Sequence, residues 1–202
     1  MSDRPIIFSG QMMCALLDGR KVQTRRLAIG KNGKPSSWQK VKPGDRLWVR
    51  ENARFGGWDP GGDYEIASIG YTADGAFRSA KVPQPSICQP FKSGKKTPSI
   101  HMPRWASRLT LEVTATKIER LQNISEEDAR AEGVTQRALS DRAQDRFCRM
   151  KPWPELYRPM FSLLWRDLHG SDAWDANPEV IALSFTVHKA NIDAMRGSPK
   201  HE

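Results

Sequence analysis

The sequence has few cysteines and no long hydrophobic segment. Cys14, Cys88 and Cys148 are far apart and form no CxxC motif, which argues against a disulfide framework or a thiolate metal site and fits a reducing cytoplasm. A membrane-spanning helix needs roughly 20 apolar residues, and no segment reaches that length; the N-terminal apolar stretch is interrupted by Asp3 and Arg4. We therefore expect a cytoplasmic protein that is neither membrane-bound nor processed.

Histidine is also scarce, whereas positive charge is abundant. The four histidines show no recognisable ligand spacing, so no metal or other cofactor is expected. The chain carries 32 Lys and Arg against 23 Asp and Glu, a formal net charge of +9. This excess favours anionic partners such as nucleic acid or nucleotides, although charge can also serve solubility alone.

The chain length and patterning predict one α+β domain. With 202 residues, of which 38% are hydrophobic, one core with long decorating loops is expected over residues 1–188. Apolar spacing predicts a helix over residues 9–17 that ends at Gly19. Strict alternation predicts a strand over residues 107–118, and an apolar run predicts another over residues 180–187.

Three segments give weaker patterns. Residues 56–98 contain many glycines and prolines and are predicted to be an irregular insertion with one short strand near residues 64–71. Residues 135–170 are expected to form a helical arm, and residues 189–202 a disordered tail.

Several short motifs follow one another in a distinctive order. A helix ends in GRK at residues 19–21, Thr24 lies three residues after the lysine, and a PGD turn occupies residues 43–45. The strand LEVTAT follows at residues 111–116, and then a short helix that runs from a Ser125 cap to Glu132. This ordered set resembles the ASCH family of the PUA-like class, and within it the bacterial N4-acetylcytidine amidohydrolases and their longer phage-type relatives.

The resemblance implies a fold, a reaction and a set of residues. The fold would be a PUA-like mixed β-barrel flanked by short helices, and the reaction a metal-free hydrolysis of the amide at N4 of an acylated cytosine nucleoside. Lys21 would be the proton acceptor, Thr24 the nucleophile and Glu132 the proton donor. The candidate substrate contacts are Arg20, Arg26 and Trp105.

This chemistry requires two shifted pKa values. A threonine hydroxyl is a poor nucleophile until a base takes its proton, and lysine is a base only when its pKa falls from about 10.4 towards neutrality. Burial and the like charges of the neighbouring arginines would lower it. Glu132 must hold its proton, and the negative end of its helix together with a partly apolar pocket would raise its pKa.

Each candidate also has an ordinary explanation. Lys21 could also be a solvated lysine after a helix end. Thr24 could be a residue chosen for strand propensity, and Glu132 an exposed helix glutamate. Arg26 fits either a substrate contact or charge at a barrel rim, and Trp105 fits either a base-stacking platform or the core. Only the three catalytic candidates together favour the enzyme.

Two other functions stay open on the sequence alone. The chain could be an RNA-binding or modified-nucleoside-binding module, because basic side chains follow one another at Lys92, Lys95, Lys96, Arg104 and Arg108 and could hold phosphates without chemistry. A ribonuclease that uses the same lysine ranks last.

Overall fold

The chain folds into short helices and two β-sheets. The computed structural model describes residues 2–30, 32–61, 64–83, 94–135 and 156–196. The strands there are β1 (Asp3–Ile7), β2 (Gln23–Leu27), β3 (Arg46–Arg50), β4 (Ala53–Gly61), β5 (Tyr64–Tyr71), β6 (Phe77–Pro83), β7 (Lys96–Thr97), β8 (Thr110–Arg120) and β9 (Glu179–His188). The α-helices are α1 (Gly10–Leu17), α2 (Glu126–Ala131) and α3 (Tyr157–His169). Short 3-10 helices cover Ser37–Lys40, Ser99–His101, Arg104–Ala106, Leu121–Asn123 and Ala194–Arg196.

The two sheets have different topologies. The five-stranded sheet has the order β1-β3-β8-β9-β2, in which β1 runs parallel to β3 and β2 antiparallel to β9. The four-stranded sheet has the order β6-β5-β4-β7 and is antiparallel throughout. The predicted mixed α+β class is confirmed, and the finer PUA-like barrel stays a prediction. Among the helices of the described ranges, none is long and apolar enough to cross a membrane.

The chain divides into two compact units. The first contains Met1–Cys14, Arg46–Leu111 and His188–Glu202, and the second contains Ala15–Asp45 and Glu112–Val187. The expectation of one domain over residues 1–188 stays a prediction. Each candidate catalytic residue falls in the second unit.

The first unit contains the four-stranded sheet. Its core is formed by Ala53, Phe55, Ile69, Tyr71, Met102 and Ala106. The strand predicted near residues 64–71 is confirmed by β5, but the prediction that the rest of residues 56–98 is irregular is wrong, because β4, β6 and β7 occupy most of its described part. A register shift between Gly56 and Asp59 breaks the alternation of β4, so the sequence shows no clean strand period there. Residues 84–93, including Cys88 and Lys92, lie outside the described residues.

The C-terminal segment also differs from the prediction. The expected disorder from residue 189 is wrong for residues 189–196, since Ile192 is fully buried. Asn191 fixes this segment, because its side-chain amide donates to the carbonyl oxygens of Arg104 at 2.9 Å and Ser107 at 2.8 Å. The apolar contact of one isoleucine in a polar stretch gives no periodic signal. Residues 197–202 lie outside the described residues.

The predicted helix and strand signals of the second unit are largely confirmed. Gly19 adopts a left-handed φ of 73° just after α1, as expected for the residue that ends a helix. Ser125 caps α2, and its hydroxyl accepts a hydrogen bond from the backbone N–H of Asp128 at 3.0 Å. The alternation in β8 buries Leu111 and Val113, as predicted.

Helix α3 lies in the described part of the predicted helical arm. It buries Met160, Phe161, Leu163 and Trp165 in a cluster that also includes Leu121, Ile124, Ala129, Val134 and Val180. Residues 136–155 of the arm, including Cys148, lie outside the described residues.

The N-terminus of α3 is capped by a side chain from α2. The carboxylate of Glu126 accepts backbone hydrogen bonds from Leu156 and Tyr157, both at 2.6 Å, and from Arg158 at 2.8 Å. Pro159 follows and has no N–H to satisfy, which explains why a proline is tolerated in the first turn. Burial alone would raise the pKa of Glu126, but these three N–H donors and the charge of Arg158 lower it overall.

This cap predicts a pH-dependent contribution to stability. Because the pKa of Glu126 is lowered by folding, its contribution is present above the unfolded pKa and is lost as the pH falls through the folded value. We expect Glu126→Gln to reduce the free energy of unfolding by about 1 kcal/mol at neutral pH, and by less in acid. Urea unfolding at several pH values measures this. Glu127→Gln is the matched control, since this exposed neighbour shares the first turn of α2; an equal loss in both variants would contradict the cap.

Candidate functional site

The site begins where the chain passes from α1 to β2. After the left-handed Gly19, the backbone N–H groups of Arg20 and Lys21 both donate to the carbonyl oxygen of Ala15, at 2.9 and 3.0 Å. Lys21 then forms an isolated antiparallel bridge with Glu132. This backbone pairing brings two residues together that are 111 positions apart in the sequence.

Gly133 makes this close approach possible. It has a left-handed φ of 74°, and a Cβ atom there would lie 2.7 Å from the Cβ of Lys21 and 3.0 Å from that of Ala15. Any side chain would therefore push the end of α2 away from Lys21. Gly133 both ends α2 and allows the close approach of the two candidate catalytic residues.

The ammonium group of Lys21 is buried and fully hydrogen-bonded. Its Nζ donates to the carbonyl oxygen of Gln23 at 2.9 Å, to that of Glu132 at 2.9 Å and to Glu132 Oε2 at 2.8 Å. The lysine is only 2% exposed here. Three acceptors match the three N–H bonds of a charged lysine, so this geometry describes the protonated resting pair.

Glu132 is held from its other side by Arg25. Glu132 Oε1 accepts from Arg25 Nη1 at 3.1 Å, so each carboxylate oxygen has a cationic donor. Glu132 is the C-cap residue of α2, the position predicted for it. Its expected partly apolar pocket is wrong: two buried cations surround the carboxylate instead.

Arg25 is the centre of a wider ion network that the sequence reasoning missed. Its side chain is fully buried and also donates to Glu119 Oε1 at 2.8 Å, to Asp128 Oδ2 at 2.8 Å and to Gln23 Oε1 at 2.6 Å. The sequence suggests only a like charge beside Lys21 at this position. The sequence carries no usable signal for Glu119, because residues 114–118 just before it in β8 are all exposed.

Thr24 lies within β2 and is 1% exposed. Its Oγ1 accepts a hydrogen bond from Arg26 Nη1 at 2.8 Å. The guanidinium of Arg26 also lies over the ring of Trp38, 5.8 Å from its centroid. Arg26 thus contacts the candidate nucleophile directly, and the sequence could not distinguish this position from a barrel rim.

The pKa of Lys21 is lowered, as expected. Burial lowers its pKa most strongly, and the charges of Arg26 and Arg25 lower it further. The charge and hydrogen bond of Glu132 oppose these effects, and the net pKa is below that of a free lysine. Arg20, the third arginine expected to contribute, is instead largely solvated and paired with Asp18 Oδ2 at 2.9 Å.

Arg20 and Trp105, two of the candidate substrate contacts, occupy different surroundings. Arg20 donates to the carbonyl oxygen of Gly133 at 3.3 Å. Trp105 belongs to the first unit, where its ring packs edge-on against Phe55 with centroids 5.7 Å apart. Its assignment as a substrate contact stays a prediction.

A cavity of about 530 Å³ lies beside the bridge between Lys21 and Glu132. The residues that line it come from the segments around Lys21 and Glu132, from α2 and from the start of α3. They are Gly19, Arg20, Val22, Glu127, Arg130, Ala131, Gly133, Val134, Thr135 and Tyr157. The cavity therefore lies against the residues next to Lys21 and Glu132, and the side chains of these two do not line it.

The arrangement can move a proton between two groups. Transfer from Lys21 Nζ to Glu132 Oε2 along the 2.8 Å contact leaves a neutral amine and a neutral acid without changing the total charge of the pair. A neutral amine can accept a proton and a carboxylic acid can donate one.

Comparison with known proteins adds no relative: no family model, curated protein or solved structure matches this chain.

The closeness of Gly133 to Lys21 can be tested with two glycines of the same backbone conformation. Gly19→Ala places a Cβ in open space at φ 73° and should cost about 1–2 kcal/mol of folding free energy from backbone strain. Gly133→Ala adds a clash with Lys21 and should cost roughly 1–3 kcal/mol more. Chemical denaturation of both variants measures the difference, and equal losses would refute the close approach.

Proposed function

We propose that this chain is an amidohydrolase that removes the acyl group from N4-acetylcytidine or a related N4-acylated cytosine nucleoside. The observation that supports it best is the buried 2.8 Å contact between Lys21 Nζ and Glu132 Oε2. Thr24 follows Lys21 by three residues and is buried as the second residue of β2. The three residues thus belong to one unit although Glu132 is distant in sequence, as the ASCH resemblance requires.

The same proposal includes the family and the finer fold. The five-stranded sheet, with mixed parallel and antiparallel pairs, would be the wall of an ASCH-type barrel of the PUA-like class. The four-stranded sheet would be an addition to it. This assignment rests on the ordered motifs and on the agreement of α1, Gly19, β8 and α2 with the expected elements.

In the proposed first step, Thr24 attacks the acyl carbonyl carbon. Thr24 Oγ1 forms a bond to that carbon while its proton passes to the neutral amine of Lys21, and the carbonyl π electrons move to the oxygen. The negative charge of this tetrahedral intermediate needs a fixed positive partner. Arg26 Nη1, at 2.8 Å from Thr24 Oγ1, is the best-placed group for that role.

In the second step, the intermediate collapses and the bond from carbon to the cytosine N4 breaks. Glu132 donates its proton to N4, so cytidine leaves as a neutral amine. Water then hydrolyses the acyl ester of Thr24, releases the carboxylic acid and restores the hydroxyl. Arg25, which holds Glu132 Oε1 at 3.1 Å, is a positioning residue in this scheme.

The burial of the three residues adds a conformational requirement. Thr24 and Lys21 are only 1% and 2% exposed, so a cytosine can contact Thr24 Oγ1 only after side chains over β2 move aside. The proposal therefore includes an opening step before chemistry, as many enzymes have.

The alternative function is RNA binding through the basic residues of the first unit. Two of those residues, Arg104 and Arg108, are less available to phosphates than the sequence suggests. Arg104 is paired with Asp3 at 2.6 Å and Asp193 at 2.7 Å. Arg108 is paired with Glu51 at 2.7 Å and Asp74 at 2.8 Å. These arginines stabilise the unit internally and are poorly available to phosphates. Among the described residues, no contact favours the ribonuclease.

The amidohydrolase can be tested with purified protein, N4-acetylcytidine and EDTA, with cytidine release followed by chromatography. We expect Lys21→Met, Thr24→Val and Glu132→Gln each to lower kcat at least about 100-fold, the usual scale for removal of an acid, base or nucleophile. Thr24→Ser keeps a hydroxyl and should retain part of the activity, which separates removal of the nucleophile from misfolding.

Glu179→Gln is a matched control, since it neutralises an exposed carboxylate of the second unit that does not line the cavity, and it should leave turnover unchanged. Full activity in Thr24→Val would remove the nucleophile from the proposal. If the folded wild-type protein released no cytidine from any N4-acylated cytosine, the amidohydrolase would be excluded.

The charge of Arg26 predicts a shift in the pH profile. Arg26 lowers the pKa of Lys21, so its removal should raise that pKa and move the acidic limb of kcat/KM to higher pH. The profile of Arg26→Gln measures this, together with a general decrease in rate because the hydrogen bond to Thr24 is removed. Arg20→Gln removes an equal but exposed charge and should leave the limb in place. Identical limbs in wild type and Arg26→Gln would contradict Lys21 as the base.

A further inference from the structure

The outward face of the four-stranded sheet carries a row of residues that the proposed reaction does not use. Strand pairing places Lys96 opposite Arg54, Arg54 opposite Gly70, and Gly70 opposite Phe77. These four residues, which we call the outer row, lie on one face because directly paired residues share a side of the sheet. They all belong to the first unit.

Burial confirms which face the outer row occupies. Phe55, Ile69 and Tyr71, which alternate with the outer row along β4 and β5, are at most 2% exposed and form the core of the unit. Arg54 and Lys96 are exposed, and Phe77 is 70% exposed. The outer row therefore faces away from the core of its unit.

Phe77 is unusual for a residue with no role in the core. Single exposed apolar residues are common, but Phe77 has the highest exposure of the large hydrophobic residues described. Its neighbour in the row is a glycine: a Cβ on Gly70 would lie 3.9 Å from Phe77 Cδ2. The missing side chain leaves the ring accessible above a flat part of the sheet.

The neighbouring charges have one sign. At a strand spacing of about 4.8 Å, Arg54 and Lys96 lie roughly 10 Å and 14 Å from Phe77 across the sheet. The row contains no carboxylate, in contrast to the surroundings of Arg104 and Arg108, each of which contacts two. Next to the outer row, the same face carries Ser68 opposite Ser79. Both side chains are short, so they do not project above the sheet beside Phe77.

We propose that the outer row binds single-stranded nucleic acid, with one base stacked on Phe77 and adjacent phosphates held by Arg54 and Lys96. An exposed aromatic ring on the same sheet face as exposed cations is the combination that single-strand binding needs, because every base has a stacking face and every nucleotide a phosphate. A duplex hides its base faces and would not use Phe77. This proposal does not rest on the amidohydrolase.

The test is fluorescence polarisation of the full chain with a labelled oligouridine of about twelve nucleotides, a length within the range that small single-strand modules cover. We expect Phe77→Ala to weaken binding at least about fivefold, the lower limit for removal of one stacked base. Phe77→Tyr keeps the ring and should bind as wild type, whereas Phe77→Leu keeps an apolar side chain and should weaken binding like alanine.

The contribution of Arg54 and Lys96 to binding is tested separately, with a control variant of equal charge. The double variant Arg54→Gln/Lys96→Gln should bind more weakly and reduce the slope of log affinity against log salt by about 1.4, or 0.7 for each phosphate that is no longer neutralised. Lys42→Gln/Lys189→Gln removes two other exposed lysines and should change neither quantity. Both double variants have two fewer positive charges, so a nonspecific charge effect would make them behave alike.

Three outcomes would overturn the proposal. The first is undetectable binding of the single strand by a folded wild-type protein. The second is equal affinity for a duplex of the same length together with full affinity in Phe77→Leu, which would indicate a phosphate surface without stacking. The third is binding to vesicles rich in phosphatidylserine but not to the oligonucleotide. Hydrolysis of free N4-acetylcytidine by Phe77→Ala should stay unchanged, so failure of either proposal is distinguishable from failure of the other.

Discussion

The contact between Glu132 and its two cations is the constraint on which the second unit depends. Taking a carboxylate, an ammonium and a guanidinium out of water costs several kcal/mol for each ion unless every charge is paired. Lys21 and Arg25 occupy opposite oxygens of Glu132, and Arg25 is paired in addition with Glu119 and Asp128. The strand β2, the end of β8 and the helix α2 must therefore keep their positions, because a shift of any one would leave a buried charge without its partner.

This same constraint determines what Lys21 can do. Burial lowers the pKa of the lysine and so favours its neutral form, whereas the charge and hydrogen bond of Glu132 raise the pKa and favour the charged form. Arg25 and Arg26 act on the balance by lowering the lysine pKa further. Burial, one carboxylate and two guanidinium groups thus act on the same lysine proton, some raising and some lowering its pKa. A solvated lysine cannot be tuned in this way, which is why buried ionisable pairs in proteins support a functional hypothesis.

Local signals in the sequence predicted the local elements well. The apolar spacing of α1, the left-handed Gly19, the Ser125 cap and the alternation of β8 all depend on residues within a few positions of each other. Of the four-stranded sheet only β5 was predicted, because a register shift interrupts β4 and because the outward face, apart from Phe77, is mainly glycine, serine and charged residues. The Arg25 network was missed for another reason: Arg25 and Glu119 are 94 residues apart, and no local pattern encodes an ion pair across that distance.

The net charge is a second property that sequence alone cannot interpret. The formal charge of +9 suggested anionic partners, but it treats every arginine alike. Arg25, Arg104 and Arg108 are paired with carboxylates of the protein itself, so they contribute to folding and little to the surface potential. Arg54 and Lys96 stand on an exposed sheet face beside an aromatic ring. The capacity to hold an anion therefore depends on which cations face solvent and which face internal carboxylates, and that property emerges only once strand pairing has assigned each side chain to a face.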